Sequence, residues 1–155
     1  MLKVNRKVEY GLVALKHMST KPNGQLTSVR EICDHFGTPF DPVAHVMRIL
    51  NAEGLVKSEQ GAHGGYRLQP NALEVNFGDF IEVIEGHPLA FADCLREDDC
   101  RCTLQERCNI MAPMHNLHHR LMAFFRSVKL VDLLHDEQFA SLQPGAAAQA
   151  ATSAT

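Results

Sequence analysis

The first 70 residues of this chain contain a close succession of helix boundaries and tight turns, which few folds can accommodate. Apolar side chains recur at helical spacing over residues 8–18 and stop at a Lys-Pro-Asn-Gly sequence, which predicts a first helix. A capping box, with Ser28 or Thr27 as N-cap and Glu31 near the third helical position, begins a helix of about two turns. That helix ends at Gly37, so only a tight turn separates it from the next predicted helix.

A third helix and a hairpin complete this succession. Asp41 as N-cap and Pro42 at the first helical position predict a helix that ends at Gly54. Two strand-like runs, residues 55–60 and 65–70, flank a glycine-rich tip and predict a β-hairpin wing. Helix pairs with a tight turn also occur in proteins that do not bind DNA, but this order of elements favours DNA binding. The sequence therefore predicts a mainly α fold with a small β-wing, a winged helix-turn-helix.

Charge is divided unequally along the chain. The net charge is −3, yet residues 1–68 carry nine Lys and Arg against six Asp and Glu, whereas residues 69–155 carry six against twelve. The basic half contains the predicted winged helix, so charge and fold favour the same half for binding DNA. No apolar stretch approaches the length that spans a bilayer, and the first residues lack a signal-peptide pattern. We therefore expect a cytoplasmic protein with no membrane partner.

Two further helices are predicted after the wing. Residues 77–86 are amphipathic and end in glycine, and apolar residues recur at three-to-four spacing for about five turns over 110–128. A helix so long and apolar needs a partner, which is either its own domain or the same helix of a second subunit. We predict a DNA-binding domain at 1–70, a unit with the cysteine segment and the dimerisation helices at 71–135, and a disordered tail at 136–155.

Four of the five cysteines, Cys94, Cys100, Cys102 and Cys108, lie in one short polar segment, while Cys33 lies in an apolar helix and is expected to be buried. In a cytosolic chain such clustering favours metal binding or redox chemistry over structural disulfides. Zinc sites usually pair their ligands at closer spacing, whereas an iron–sulfur cluster accepts wider spacing. Arginines beside the thiols would favour a thiol–disulfide switch. All three interpretations stay open here, and the iron–sulfur cluster is favoured. Zinc or redox thiols would instead make the chain a regulator or a protein-interaction module without a cluster.

No enzyme motif accompanies these cysteines. Nine histidines are present, but none has the spacing typical of a zinc protease, and the chain has neither a nucleophile-elbow nor a P-loop pattern. We therefore do not expect an enzyme.

Several motifs, taken in order, resemble those of one family of bacterial regulators. They are VEYGLVAL at 8–15, EICDHFGTPFDPVAHVMRILNAEGLV at 31–56, SEQGAHGGYRL at 58–68, FGDFIEVIEG at 77–86 and the cysteine segment. Over residues 1–135 the chain resembles the Rrf2 family. The resemblance implies a homodimeric transcription regulator, expected to be a repressor, that binds a palindromic operator in double-stranded DNA. It also implies a [2Fe–2S] or [4Fe–4S] cluster that responds to iron, cluster status, oxygen or nitric oxide.

The same resemblance implies a set of cluster ligands. The family's Cys-x5-Cys ending matches Cys102 and Cys108, and Cys94 matches the first ligand. Cys100 stays an alternative to Cys102, because both spacings from Cys94 occur in the family. The fourth ligand is expected to be Glu9 of the opposite subunit, which matches an acidic residue in the first helix of some members. His115 is the alternative, one turn beyond the position where other members place a histidine.

DNA contacts implied by the resemblance fall in the turn and recognition helix, the wing and the N-terminus. They are Thr38, Asp41, His45 and Arg48 on the exposed face of the turn and helix, Gln60 and His63 at the wing tip, and Lys57, Lys3 and Arg6 as phosphate contacts. Gln60 and His63 stand where family members commonly have an arginine, so we expect a different base preference.

Overall fold

The structure, a computed structural model, describes residues 4–90, 92, 95 and 107–135 of the chain. In chain order its elements are α1 (Arg6–Ser19), α2 (Val29–Phe36), α3 (Phe40–Ala52), β1 (Val56–Glu59), β2 (Gly65–Leu68), a 3-10 turn (Ala72–Glu74), α4 (Phe77–Glu85), α5 (Met111–Ser127) and α6 (Leu130–Leu134). The two strands form an antiparallel sheet. The predicted fold class, mainly α with a small β-wing, is therefore confirmed. The predicted tail at 136–155 lies outside the described residues.

Helix α2 has the boundaries that the sequence predicts. Ser28 is its N-cap, and the Ser28 hydroxyl accepts a hydrogen bond from the Glu31 backbone N–H at 3.1 Å. Gly37 ends the helix in the left-handed conformation, at φ 64°, and so turns the chain towards α3. Both ends of α2 can be predicted from the sequence, because each depends on one residue type in a local backbone geometry.

Helix α3 begins earlier than the sequence predicts. Its N-cap is Pro39 and its first residue is Phe40, so Asp41 lies in the first turn and is not the N-cap. Pro39, at φ −70° and ψ 138°, has the extended backbone that an N-cap requires. Pro42 then falls at the third helical position, where a backbone N–H has no intrahelical partner and its absence costs no hydrogen bond. The Asp-Pro signal therefore marks the first turn of α3 but not its first residue.

The wing is a regular hairpin that is tied to both helices of the helix-turn-helix. Strand β1 pairs with β2 in the register Val56 to Leu68, and Tyr66 forms an additional bridge to Thr27 just before α2. The Asn51 side chain near the end of α3 accepts a hydrogen bond from the Ser58 backbone N–H at 2.7 Å. The wing is thus held in a defined position relative to α3.

One hydrophobic core extends from α1 to α6. Helix α1 packs against α3 and α4, and Val8, Leu50 and Phe80 are fully buried among them. Leu130 and Leu134 of α6 join this core, and the Lys16 side chain donates a hydrogen bond to the Leu134 carbonyl. Cys33 is buried in the same core, as the sequence predicts. The segment after α5 therefore returns to the winged helix, which the sequence pattern does not indicate.

Helix α5 matches the predicted long helix, and one of its faces packs on α4. The rings of Phe77 and Phe125 meet edge to face at 5.6 Å, and the Arg126 guanidinium lies 3.5 Å from carboxylate oxygens of Asp79 and Glu82. Its other face carries exposed apolar side chains, including Leu117. Across the described ranges, no helix is long and apolar enough to span a membrane.

Candidate DNA interface and cluster-binding segment

Helix α3 separates a buried face from an exposed one. Val43, Val46, Met47 and Leu50 are buried against the other helices. On the opposite side Asp41, His45 and Arg48 are exposed, as the sequence analysis expects. Residues three and four positions apart lie on one helix face, so these three side chains form one accessible surface. That surface combines an acceptor-only carboxylate, an imidazole and a guanidinium, which suits contacts to base edges and phosphates.

Thr38 departs from the expectation that it lies on the exposed face. It is half-buried in the turn, and its hydroxyl oxygen is buried with no hydrogen-bond partner. Its backbone N–H donates to the Cys33 carbonyl at 3.2 Å, which holds the turn against the end of α2. The placement of Thr38 is therefore corrected, because the tight turn draws this side chain inward. Its role in DNA binding stays a prediction.

Phe40 is the exposed side chain of this region that the sequence analysis missed. It is the first residue of α3 and is 50% exposed. An apolar residue at helical spacing from buried residues is usually assigned to the core, so the pattern alone does not indicate the exposure of Phe40. The start of α3 at Phe40, and not after Asp41, could have been suspected from Pro39, whose backbone suits an N-cap.

The wing presents the predicted contacts at its surface. Lys57, Gln60 and His63 are all exposed. At the base of the tip, the Arg67 guanidinium binds the Glu59 carboxylate through two hydrogen bonds, of 2.9 and 2.5 Å. This ion pair neutralises the charge of Arg67, which lies directly opposite Lys57 on the neighbouring strand. The contact of Lys57 with a phosphate stays a prediction.

At the N-terminus, the structure describes one of the two predicted phosphate contacts. Arg6 is exposed in the first turn of α1, and its guanidinium lies 3.4 Å from the Glu9 carboxylate. Lys3 lies outside the described residues.

An ionic cluster holds α2 against α1. The Glu31 carboxylate accepts a hydrogen bond from His17 at 2.8 Å and forms an ion pair with Lys21. Burial raises the pKa of Glu31, but the hydrogen bonds and charges of Lys21 and His17 outweigh it and hold that pKa below its ordinary value. The carboxylate therefore stays ionised and helps to fix the helix that precedes the recognition helix.

The structure describes one of the four clustered cysteines. Cys108 is a free, half-buried thiol, three residues before the first residue of α5. Cys94, Cys100 and Cys102 belong to the part of the chain that is not described. A partly exposed thiol at the end of the cysteine segment is accessible to a metal or an oxidant.

The other predicted ligands are described but lie apart. Within the described ranges, no group of three His, Cys, Asp or Glu side chains could hold a metal ion, so one subunit does not bring Cys108, Glu9 and His115 together. His115 lies among imidazoles on α5, with its ring centroid 6.5 Å from that of His119. Burial, followed by the charges of His119 and His115, lowers the pKa of His118. Nitrogen donors thus lie on the helix that follows the cysteine segment.

The fold and these exposed faces define a winged-helix protein of the DNA-binding class. The chain belongs to the Rrf2 family, because the Rrf2 family model, described as an iron-dependent transcriptional regulator, matches residues 4–136. The resemblance seen in the sequence is therefore confirmed, and the protein is a transcription regulator of that family.

Solved structures of known regulators share this fold. CymR (YrzC), the global cysteine regulator of B. subtilis, is 27% identical, with 92% of this chain and 99% of that chain covered and a TM-score of 0.59. IscR of T. potens is 25% identical, with 93% and 94% covered and a TM-score of 0.58. The oxidized form of Staphylococcus aureus CymR, at 22% identity, matches in fold with a TM-score of 0.62 over 86% of this chain and 97% of that chain.

Proposed function

We propose that this protein is a cytoplasmic, sequence-specific DNA-binding repressor whose affinity for its operator depends on an iron–sulfur cluster. The observation that carries the proposal is the position of the four cysteines, which lie between α4 and α5 in a chain of a family described as iron-dependent. This segment joins the winged helix to the long helix α5. A change at the cysteines would thus act between the DNA-binding part and the surface that we assign to a second subunit.

The proposed ligands are Cys94, Cys102 and Cys108 of one subunit and Glu9 of the other. When bound, the cluster would supply iron that reacts with oxygen or nitric oxide, or that is lost when iron is scarce. The described donors fit this role, because Cys108 is a free thiol and Glu9 is partly exposed. An exposed ion pair such as that of Glu9 with Arg6 contributes only about 0–1 kcal/mol, so Glu9 can exchange Arg6 for a metal at small cost.

The proposed dimer forms through the exposed face of α5. Apolar residues follow one another at alternating spacings of four and three, which is the pattern of a two-helix seam: Ile110, Met114, Leu117, Leu121 and Phe124. Ile110, Leu117 and Phe124 are 55%, 47% and 53% exposed, although α5 already packs on α4 with its other face. Pairing two such helices buries this seam and gives the two-fold symmetry that a palindromic operator requires.

In this proposal residues 1–70 bind DNA, and residues 71–135 bind the cluster and the second subunit. A cluster ligated across the dimer would fix the distance between the two recognition helices. Operator half-sites repeat at a fixed distance, so a small shift between the recognition helices changes affinity.

Anaerobic purification followed by spectroscopy and operator binding tests the proposal. We expect a coloured protein with iron–sulfur charge-transfer absorption, and an affinity for the operator that differs about tenfold or more between cluster-loaded and cluster-free protein at fixed salt. Cys102→Ala is expected to lose the cluster and Glu9→Ala to weaken it, whereas Cys100→Ala is the matched control that retains it. Equal affinity of the loaded and cluster-free forms would contradict the coupling. A retained cluster in Cys102→Ala would move the middle ligand to Cys100.

A thiol-based or zinc-binding regulator without a cluster is the second candidate. The similarity to CymR favours this candidate, because CymR is described as a cysteine regulator and its description does not mention iron. The same purification separates the two, because colourless protein with stoichiometric zinc, or with a disulfide that changes DNA affinity, would support this candidate.

A further inference from the structure

Phe40 is an exposed aromatic side chain at the start of the recognition helix. It is 50% exposed, more than any other large hydrophobic side chain among described residues 4–90, where Phe36 follows at 43%. Phe36 packs its ring on His17 and His35, with centroids 5.4 and 4.5 Å apart. Phe36 is therefore partly exposed but has a structural role, because its ring packs on other rings at the end of α2. Phe40 lies at the N-terminal end of the helix that a winged-helix protein places in the major groove.

Phe40 begins a ridge on the exposed side of α3. Residues four apart in a helix are offset by about 40° around its axis, so Phe40, Ala44 and Arg48 follow one another along the surface. Val43 and Met47, which alternate with them in the sequence, are buried. The ridge therefore presents two apolar side chains near the N-terminal end of α3 and a cation near the other end. An apolar pair followed by a cation fits a surface that combines apolar and anionic groups.

The major groove offers one apolar group for such a ridge. The C5-methyl group of thymine is the apolar feature of the base edges, and side chains such as Ala and Phe contact it. We propose that Phe40, with Ala44 beside it, contacts a thymine methyl group in each half-site and so specifies thymine at that position. The inference rests on the proposed sequence-specific DNA binding and adds a residue that reads one base.

Replacement of thymidine by deoxyuridine in the DNA tests the contact, because the two nucleosides differ only in that methyl group. Preferred sites are first selected from random duplexes with the full-length protein prepared anaerobically, and each thymine of a half-site is then replaced in turn. At one position we expect affinity to fall about fourfold per half-site, which corresponds to about 0.8 kcal/mol for one buried carbon group. Phe40→Ala is expected to bind the thymine site more weakly and to show no further loss with deoxyuridine.

Phe36→Ala is the matched control, since Phe36 is similarly exposed but lies outside α3. We expect this variant to keep the full deoxyuridine effect. Phe40→Leu provides a second variant, which retains part of the apolar contact and is expected to show an intermediate effect. Circular dichroism establishes that each variant is folded.

Two results would overturn the inference while leaving the proposed sequence-specific DNA binding intact. One is a wild-type protein that tolerates deoxyuridine at every thymine of its selected site. The other is Phe40→Ala or Phe40→Leu with the same deoxyuridine sensitivity as wild type, which would assign the methyl contact to another residue. A wild-type protein that selects no sequence would overturn the proposed sequence-specific function and this inference with it. Selection of a site without methyl sensitivity overturns the inference alone.

Discussion

Gly11 of α1 packs against the Phe80 ring of α4, and the absence of a side chain at Gly11 leaves room for that ring. A Cβ atom at this position would lie 2.8 Å from the ring of Phe80 and 3.4 Å from Val46. Phe80 is fully buried, so its ring has little room to move. Overpacking costs up to about 3 kcal/mol, and the better helix propensity of alanine offsets about 1. We therefore expect Gly11→Ala to lower the free energy of unfolding by about 1–2 kcal/mol in urea denaturation.

Gly78→Ala is the matched control for this close approach. A Cβ there would lie 3.0 Å from the Cγ atom of Arg126, which belongs to a long, flexible side chain. Because this contact is less close than the one at Gly11 and is relieved by a shift of a few tenths of an ångström, we expect Gly78→Ala to change the free energy of unfolding by about 1 kcal/mol or less, and by less than Gly11→Ala. Equal losses in the two variants would mean that the Phe80 ring is not the cause.

The Glu31 carboxylate predicts a pH dependence of stability. Its pKa is lower in the folded chain than in the unfolded one, so its contribution to stability is present above the unfolded value of 4.5. That contribution is lost as the pH falls from 4.5 through the lower folded pKa. Urea midpoints measured between pH 7 and pH 3.5 are expected to fall more steeply for wild type than for Glu31→Gln. Parallel curves for the two proteins would exclude this carboxylate as a source of the acid sensitivity.

At the scale of elements, α2 depends on its N-cap. The Ser28 hydroxyl satisfies one of the backbone N–H groups that a helix start leaves without an intrahelical partner, and α2 is only eight residues long. We expect Ser28→Ala to destabilise the protein by about 1 kcal/mol in thermal or urea unfolding. Ser28→Asp, which keeps a side-chain acceptor, is expected to restore most of that loss. Equal destabilisation by both variants would show that packing at Ser28, and not capping, is responsible.

Elements that begin and end at strong local signals were the ones predictable from the sequence. Helix α2, the wing and the length of α5 follow from a cap, glycines and an apolar repeat, because each signal acts within a few residues. The short helix α6 was not predicted, since its five residues have too few turns for a periodic pattern. Its position depends on Leu130 meeting the core of α1 and α4, which is a long-range contact that no local pattern reports.

The candidate site was predictable as residue types but not as a geometry. Clustered thiols indicate a metal or redox site because few other functions require them, and helical periodicity places His45 and Arg48 on one face. The sequence does not decide which thiol completes the set, since Cys100 and Cys102 both fit a family spacing. It also missed Phe40, because the predicted helix begins at Pro42, whereas α3 begins two residues earlier, at Phe40.

At the scale of the whole molecule, the exposed seam of α5 predicts that assembly and DNA binding fail together. Leu117 lies in the middle of that seam, and a lysine there would place two charges against each other in the paired helices. We expect Leu117→Lys to be monomeric in sedimentation equilibrium and folded by circular dichroism. A monomer holds one half-site at a time, so its affinity for the full operator is expected to fall about a hundredfold or more.

Asn116→Lys is the matched control for the seam, because it adds the same charge at the neighbouring exposed position outside the apolar repeat. This variant is expected to remain dimeric and to bind the operator like wild type. Affinity of Leu117→Lys for a single half-site should be nearly unchanged, which separates loss of the dimer from damage to α3. A dimeric Leu117→Lys protein would contradict the seam, and a monomer with undiminished affinity for the full operator would contradict the role of two-fold symmetry in binding.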